Sequence, residues 1–249
     1  MEDHALEHGT ANQGNARHGT DGHGTAQHNA LKRITFYFDV ISPYAYLAFE
    51  RLPQALMGHS VVVSYRPILF AALLNAHGQL GPAEVPPKRE WTYRQVAWLA
   101  RQQGTDLQPP MAHPFNPLGL LRLALACGSG DGSAVSGPNR YACETVFRHV
   151  WQSGGQDAAD PARLAVLTEQ LAPVRDPYSE AVKEQLKTQT AAALALGVFG
   201  VPTLVVDDKL FWGLDALPML AAYVGGDPWF DGPQWQGAGS LPTGQTRKR

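Results

Sequence analysis

Residues 34–40 read Ile-Thr-Phe-Tyr-Phe-Asp-Val, and Ser42-Pro43 follows almost at once. The run is nearly continuously apolar and rich in β-branched and aromatic residues, the composition of a strand buried on both faces. Serine is a favoured helix N-cap and proline suits the first helical position, so the chain to about residue 57 reads as helix. A buried strand turning straight into a helix is the first half of a βα unit. Residues 61–66, Val-Val-Val-Ser-Tyr-Arg, supply a second strand. Reached by a helix-length crossover, it is expected to lie parallel to the first, with a right-handed connection.

A Pro/Gly-punctuated stretch, 67–87, reads as loop, and 88–103 as an arginine-studded helix ended by Gly104. Further helices are expected at about 116–127, 139–152, 161–171 and 179–196. Strand character returns at 203–206 and 210–212, flanking Asp207-Asp208-Lys209 as a hairpin would, and Asp215 opens a last helix to about 224. The order βαβ, helical block, αββα defines an α/β protein: a thioredoxin-like sheet with an all-helical insertion. On this reading 31–67 and 179–224 form the thioredoxin-like domain and 68–178 the helical insertion. Residues 1–30 are a disordered tail and 225–249 a loop-rich C-terminal tail.

The N-terminal tail mixes His4, His8, His18, His23 and His28 with Gly, Asn, Thr and Asp, without periodicity. It reads as a disordered leader or as a weak metal chelator. A formal net charge of −2, from 20 Lys+Arg and 22 Asp+Glu, gives no global field for nucleic acid or an anionic membrane. The expected partner is a small molecule. No apolar run is long enough to span a bilayer and no signal-peptide order is present at the N-terminus. Cys127 and Cys143 show no Cys-x-x-Cys or metal-ligand spacing and read as buried free thiols, so no metal site is expected and a reducing, cytoplasmic location fits.

Two places in this layout are suited to chemistry. Ligands of α/β sheets gather at the carboxyl ends of strands, where helix N-termini present unpaired N–H groups. Ser42 lies there, either capping its own helix or also offering its hydroxyl to an anion. Gly200-Val201-Pro202-Thr203 stands just before the returning strand. A cis peptide at Pro202 would turn the Val201 backbone outward, leaving its N–H and C=O free to bond an extended ligand.

Taken together, Phe36-Tyr-Phe-Asp-Val-Ile-Ser-Pro-Tyr-Ala-Tyr-Leu-Ala, Val198-Phe-Gly-Val-Pro-Thr and Phe211-Trp-Gly-Leu-Asp resemble the 2-hydroxychromene-2-carboxylate isomerase family. That family sits with kappa-class glutathione transferases in the DsbA-like branch of the thioredoxin fold, and the resemblance covers about 31–224. It implies glutathione as cofactor, Ser42 as the catalytic residue beside the glutathione sulfur, and Val201 before a cis-Pro202 holding the cysteinyl backbone. It further implies contacts from Trp212, Gly213, Leu214 and Asp215, with the Asp215 carboxylate on the ligand's ammonium or capping the last helix. The implied reaction is thiolate conjugate addition to an unsaturated chromene acid, ring opening, bond rotation and elimination, as part of aromatic-compound degradation. A serine at a helix N-terminus that favours a thiolate is consistent with that chemistry.

The sequence departs from the family where a lysine usually stands in the loop after the second strand: Leu74 or Asn75 occupies that place. The nearest alternative cations for a substrate carboxylate are Lys88 and Arg89, which also read as solvated helix charges. Ala216 replaces the arginine usual after the aspartate. Phe115 and Asn116, in His113-Pro-Phe-Asn-Pro, fall where the family has an aromatic and an amide facing a small aromatic substrate. His77 and His113 are acid–base candidates by type alone. Alternatives are a kappa-like transferase or peroxidase, and a non-catalytic thiol- or peptide-binding module. A disulfide oxidoreductase is disfavoured because Ser42-Pro43-Tyr44-Ala45 lacks sulfur. Relatives are often dimers, so a homodimer is an option that the residues do not decide.

Overall fold

The computed structural model describes residues 31–131 and 136–244. The His-rich leader and the basic Arg247-Lys248-Arg249 end lie outside the described residues. Strand β1 (Lys32–Phe38) leads through a four-residue turn into α1 (Pro43–Ala55), and β2 (Val61–Pro67) returns parallel to β1 with Phe36 opposite Tyr65. The apolar run of β1 serves two cores. Phe36 and Phe38 join the main one, while Tyr37, on the opposite face, packs with Ile68, Leu73, Val198 and Val201.

Helix α2 (Phe70–Ala76) and a short 3-10 turn (Pro82–Glu84) occupy part of the stretch read as loop. The reason is local: Phe-Ala-Ala-Leu-Leu-Asn-Ala has high helix propensity, and Leu73 and Leu74 are buried. Next come α3 (Pro86–Gln103), α4 (Leu118–Ala126), α5 (Arg140–Trp151), α6 (Pro161–Leu171) and α7 (Glu180–Ala195). Gly104, at φ 65°, ends α3. Asn139, Asp160 and Ser179 cap the last three helices, accepting from the amides of Ala142, Arg163 and Val182.

Strands β3 (Thr203–Val206) and β4 (Lys209–Trp212) form the hairpin, turning through Asp207 and Asp208 at φ 47° and 64°, the left-handed pair that matches strand twist. The sheet order is β2-β1-β3-β4, with β3 antiparallel to both neighbours. Helix α8 (Leu217–Val224) follows a one-turn segment, Leu214–Ala216, which contains Asp215. Asp215 therefore does not cap α8: the residue before that helix is Ala216, without a side-chain cap bond.

The helical block is fastened to the sheet by aromatic packing. Phe147 on α5 lies 5.0 Å from the Phe38 ring and 5.1 Å from Phe49 of α1. The fully buried Trp151 donates its indole N–H to the Val40 carbonyl at 2.9 Å, fixing the turn just before Ser42. The C-terminal segment is more ordered than a tail. A turn at Pro228–Asp231 and α9 (Pro233–Ala238) bring Phe230, 3% exposed, against Phe211 and Tyr223. Cys143 is buried and Cys127 only partly so, and burial pushes the Cys127 thiol up to about 11 and Cys143 higher than usual. Both are poor nucleophiles.

Candidate active site

Ser42 begins α1 in an extended conformation, with its amide donating to the Asp39 carbonyl. Its Oγ accepts the Ala45 N–H at 3.2 Å, an ordinary cap, and donates to the Val201 carbonyl at 3.4 Å. The cap and the outward-facing role thus coexist in one hydroxyl. The second bond is long by the usual standard, which leaves that proton weakly committed. The Val201–Pro202 peptide is cis, but the Val201 C=O is not free as expected: it already accepts from Ser42. The Pro202 carbonyl accepts from Gly213 at 2.9 Å and so sets the 212–215 segment beside the proline.

Two glycines allow this close approach. At Gly213, φ is 98° and a β-carbon would collide with the Asp215 carboxylate. At Gly200 a β-carbon would lie 2.5 Å from the Trp212 indole nitrogen.

Two cavities adjoin beside Ser42, which lines the second. The first, about 600 Å³, is walled by Gln95 and Leu99 of α3, Arg51 of α1, and Val201, Trp212 and Asp215. It is the more polar of the two, with a guanidinium, a carboxylate and two amides, and Tyr44 donates its hydroxyl proton to Gln95 at 2.7 Å on its rim. These groups suit a flexible zwitterionic peptide-sized ligand, so the residues present fit glutathione: Asp215 for an ammonium, Arg51 for a carboxylate, Val201 for a backbone. The second cavity, about 620 Å³, is largely apolar and reaches from Ser42 to Phe70, Leu74, Pro114 and Phe115. Tyr44, Val201 and Trp212 belong to both.

Sequence reasoning passed over Asp39 and gave His113 no particular weight. Asp39 is wholly buried at the floor of the apolar cavity, accepting from the amides of Ile41 at 3.0 Å and Phe70 at 2.9 Å. Burial drives its pKa up to about 7, against the opposing pull of the Phe70 and Ile41 amides. An aspartate three residues before a Ser-Pro helix start was the available signal. The His113 Nε2 donates to the Ile41 carbonyl at 2.7 Å, and its Nδ1 then accepts from the Tyr93 hydroxyl at 2.6 Å. Desolvation lowers the pKa of His113, so the ring is a neutral strut with both nitrogens engaged.

The remaining sequence candidates separate. Phe115 lines the apolar cavity, and so does Leu74, whereas Asn75 is exposed and does not. Asn116 is exposed and its Oδ1 accepts from Leu118, a local turn, so the helix expected from 116 starts two residues later. Lys88 is exposed on α3 and outside the lining. Arg89 also lies outside it, bonded to the His113 carbonyl and stacked 5.3 Å from the Tyr93 ring. None of these places a cation in the apolar cavity. His77 follows the end of α2, exposed, apart from both cavities. Among the described residues no group of His, Cys, Asp and Glu could hold a metal ion, and no helix is long and apolar enough to cross a membrane.

Comparison with known proteins fits this geometry. The model of the DSBA-like thioredoxin domain matches residues 33–225, which defines the class. The 2-hydroxychromene-2-carboxylate isomerase of Sphingobium xenophagum is 31% identical over 206 residues, 78% of this chain and 98% of its own. Glutathione S-transferase kappa 1 of Rattus norvegicus is 30% identical, over 79% of this chain and 92% of its own. Among solved structures, a 2-hydroxychromene-2-carboxylate isomerase superposes with a TM-score of 0.66 at 25% identity, over 85% of this chain and 100% of that one. The chain belongs to the 2-hydroxychromene-2-carboxylate isomerase family, alongside the kappa-class transferases. A probable DsbA oxidoreductase from Streptomyces coelicolor, at 16% identity and a TM-score of 0.54, shares the fold.

Proposed function

We propose that this chain is a glutathione-dependent isomerase of conjugated, ring-derived compounds. The observation that carries the reading is the Ser42 hydroxyl, at the N-terminus of α1, lining the apolar cavity and bonded to Val201, which also lines the more polar one. Its relatives, among them the Pseudomonas putida 2-hydroxychromene-2-carboxylate isomerase at 31% identity, support an isomerase. Glutathione when bound supplies a thiolate that can add to a conjugated double bond and leave again, allowing rotation while the bond is single.

The chain's residues have separable tasks. Ser42 turns its proton from the Val201 carbonyl towards a sulfur, and the positive end of α1 favours the anionic form there. Asp215 and Arg51 hold opposite charges at opposite ends of a zwitterion. Val201 supplies backbone contact. The apolar cavity excludes water from the reacting carbons, with Phe115 and Trp212 against a flat substrate.

The test is turnover of a cis-configured conjugated ketone to its trans isomer with and without glutathione. A glutathione-dependent rate, with glutathione recovered unchanged, is the expected result; no rate in either condition rejects the reading. The kappa relatives favour a second reading, conjugation by the same thiolate, which predicts that glutathione disappears with the substrate.

A further inference from the structure

The apolar cavity has a charge character that the function above does not require. Its acidic lining groups are Asp39 and Glu84, and among the described residues no lysine or arginine lines it. Three backbone amides of its lining, those of Ile41, Phe70 and Gly81, are taken by the protein's own carboxyl groups. Asp39 accepts from Ile41 and Phe70, and Glu84 accepts from Gly81 at 2.9 Å. His113 offers no positive charge, since its ring nitrogens are held by Ile41 and Tyr93. Arg89 is turned to the His113 carbonyl. What remains is neutral: the Gln79 amide, the Ser42, Tyr44 and Thr92 hydroxyls and the Trp212 indole amid hydrocarbon walls.

A carboxylate placed in such a site would lose its hydration without gaining a cation, and would face the Glu84 carboxylate and the Asp39 carboxyl. An uncharged ketone or lactone would bury its carbon skeleton and keep one acceptor for Gln79 or Thr92. We infer that the substrate of this chain is an uncharged conjugated carbonyl compound, and that the cavity selects against carboxylate-bearing analogues. The inference rests on the isomerase reading for the reaction but not for the charge preference, which is a property of the cavity.

Two matched pairs separate these. For turnover, cis-benzylideneacetone and cis-benzylidenepyruvate differ only in methyl against carboxylate, and with glutathione the ketone is expected to exceed the acid in kcat/KM by about tenfold or more. For binding, the saturated pair 4-phenyl-2-butanone and 2-oxo-4-phenylbutanoate cannot react, and calorimetry is expected to show the ketone binding at least about tenfold tighter. Loss of turnover on both substrates rejects the isomerase reading while binding still decides the charge preference. Equal or tighter binding of the keto acid overturns the inference.

Leu74→Lys puts a cation on the cavity wall and is expected to move the binding ratio towards the keto acid by about tenfold. If that variant fails to fold, Glu84→Gln tests the same field: it keeps the acceptor for Gly81, removes a charge, and should narrow the discrimination several-fold. An unchanged ratio in the folded variant counts against the inference.

Discussion

Asp39 and Phe70, 31 residues apart, are joined by a 2.9 Å bond from the Phe70 amide to the Asp39 carboxyl. One buried acid thus holds together the turn beneath Ser42 and the first residue of α2, two walls of the same cavity. Because burial lifts its pKa to about 7, the native state keeps this proton where the unfolded chain has lost it. The stability linked to that proton is full below about pH 4 and falls as pH rises towards about 7. Asp39→Asn does not titrate, so the stability difference between wild type and variant should shrink or reverse across that window, by a few kcal/mol at most. Urea unfolding at half-unit pH steps measures it; parallel curves for the two proteins would refute the assignment.

Ser42 has two roles that two substitutions can part. Ser42→Ala removes the cap on Ala45 and should cost about 1 kcal/mol, whereas Ser42→Asn keeps a capping oxygen and should stay within about 0.5 kcal/mol. Neither retains a hydroxyl for a sulfur, so glutathione-dependent turnover should drop about 100-fold or more in both. Denaturation midpoints and rates on the same preparations check this. Full activity in Ser42→Asn would reduce Ser42 to a cap.

Asp215 is exposed, outside the cap position of α8, and on the polar cavity. Asp215→Asn should therefore leave the thermal midpoint in place and raise the KM for glutathione about tenfold or more, with the KM of the electrophile unchanged. Steady-state kinetics with each substrate varied in turn gives the comparison. A rise confined to the electrophile would move Asp215 to the other cavity's service.

Phe230 is buried against Phe211, Tyr223 and Trp235 in a segment whose sequence reads as tail. Phe230→Ala should destabilise the protein by about 3 kcal/mol, the usual scale for a large aromatic lost from a packed site. Denaturant unfolding measures it, and a loss under about 0.5 kcal/mol would mean the segment is only loosely applied.

How legible the fold and site were depends on the range of the interactions involved. The β1–α1 and β3–β4 units were readable because their signals are local: a β-branched run, Ser42-Pro43, and Asp207-Asp208 at a hairpin turn. Helix α2 was not, since it is seven residues long without a capping side chain and sits between prolines and glycines. The C-terminal turn and α9 owe their place to contacts with Phe211 and Tyr223 rather than to periodicity. At the site, Ser42 and Val201 could be named from the sequence, but not their mutual bond, which redirects the carbonyl expected to be free. Asp39 and His113 acquire their character from Phe70, Ile41 and Tyr93, partners up to 72 residues away. The lack of a lysine or arginine on the apolar wall, among the described residues, is likewise a property of several segments far apart in sequence.

Trp212 stands at the end of the last strand, 55% exposed, with its ring 4.8 Å from Phe199 and surface in both cavities. A guest in either chamber takes part of the same indole out of water. The two equilibria are therefore expected to be thermodynamically linked, each guest altering the other's affinity by one common factor whichever arrives first. Calorimetric titration of one guest, repeated with the other at saturation, reads the coupling directly.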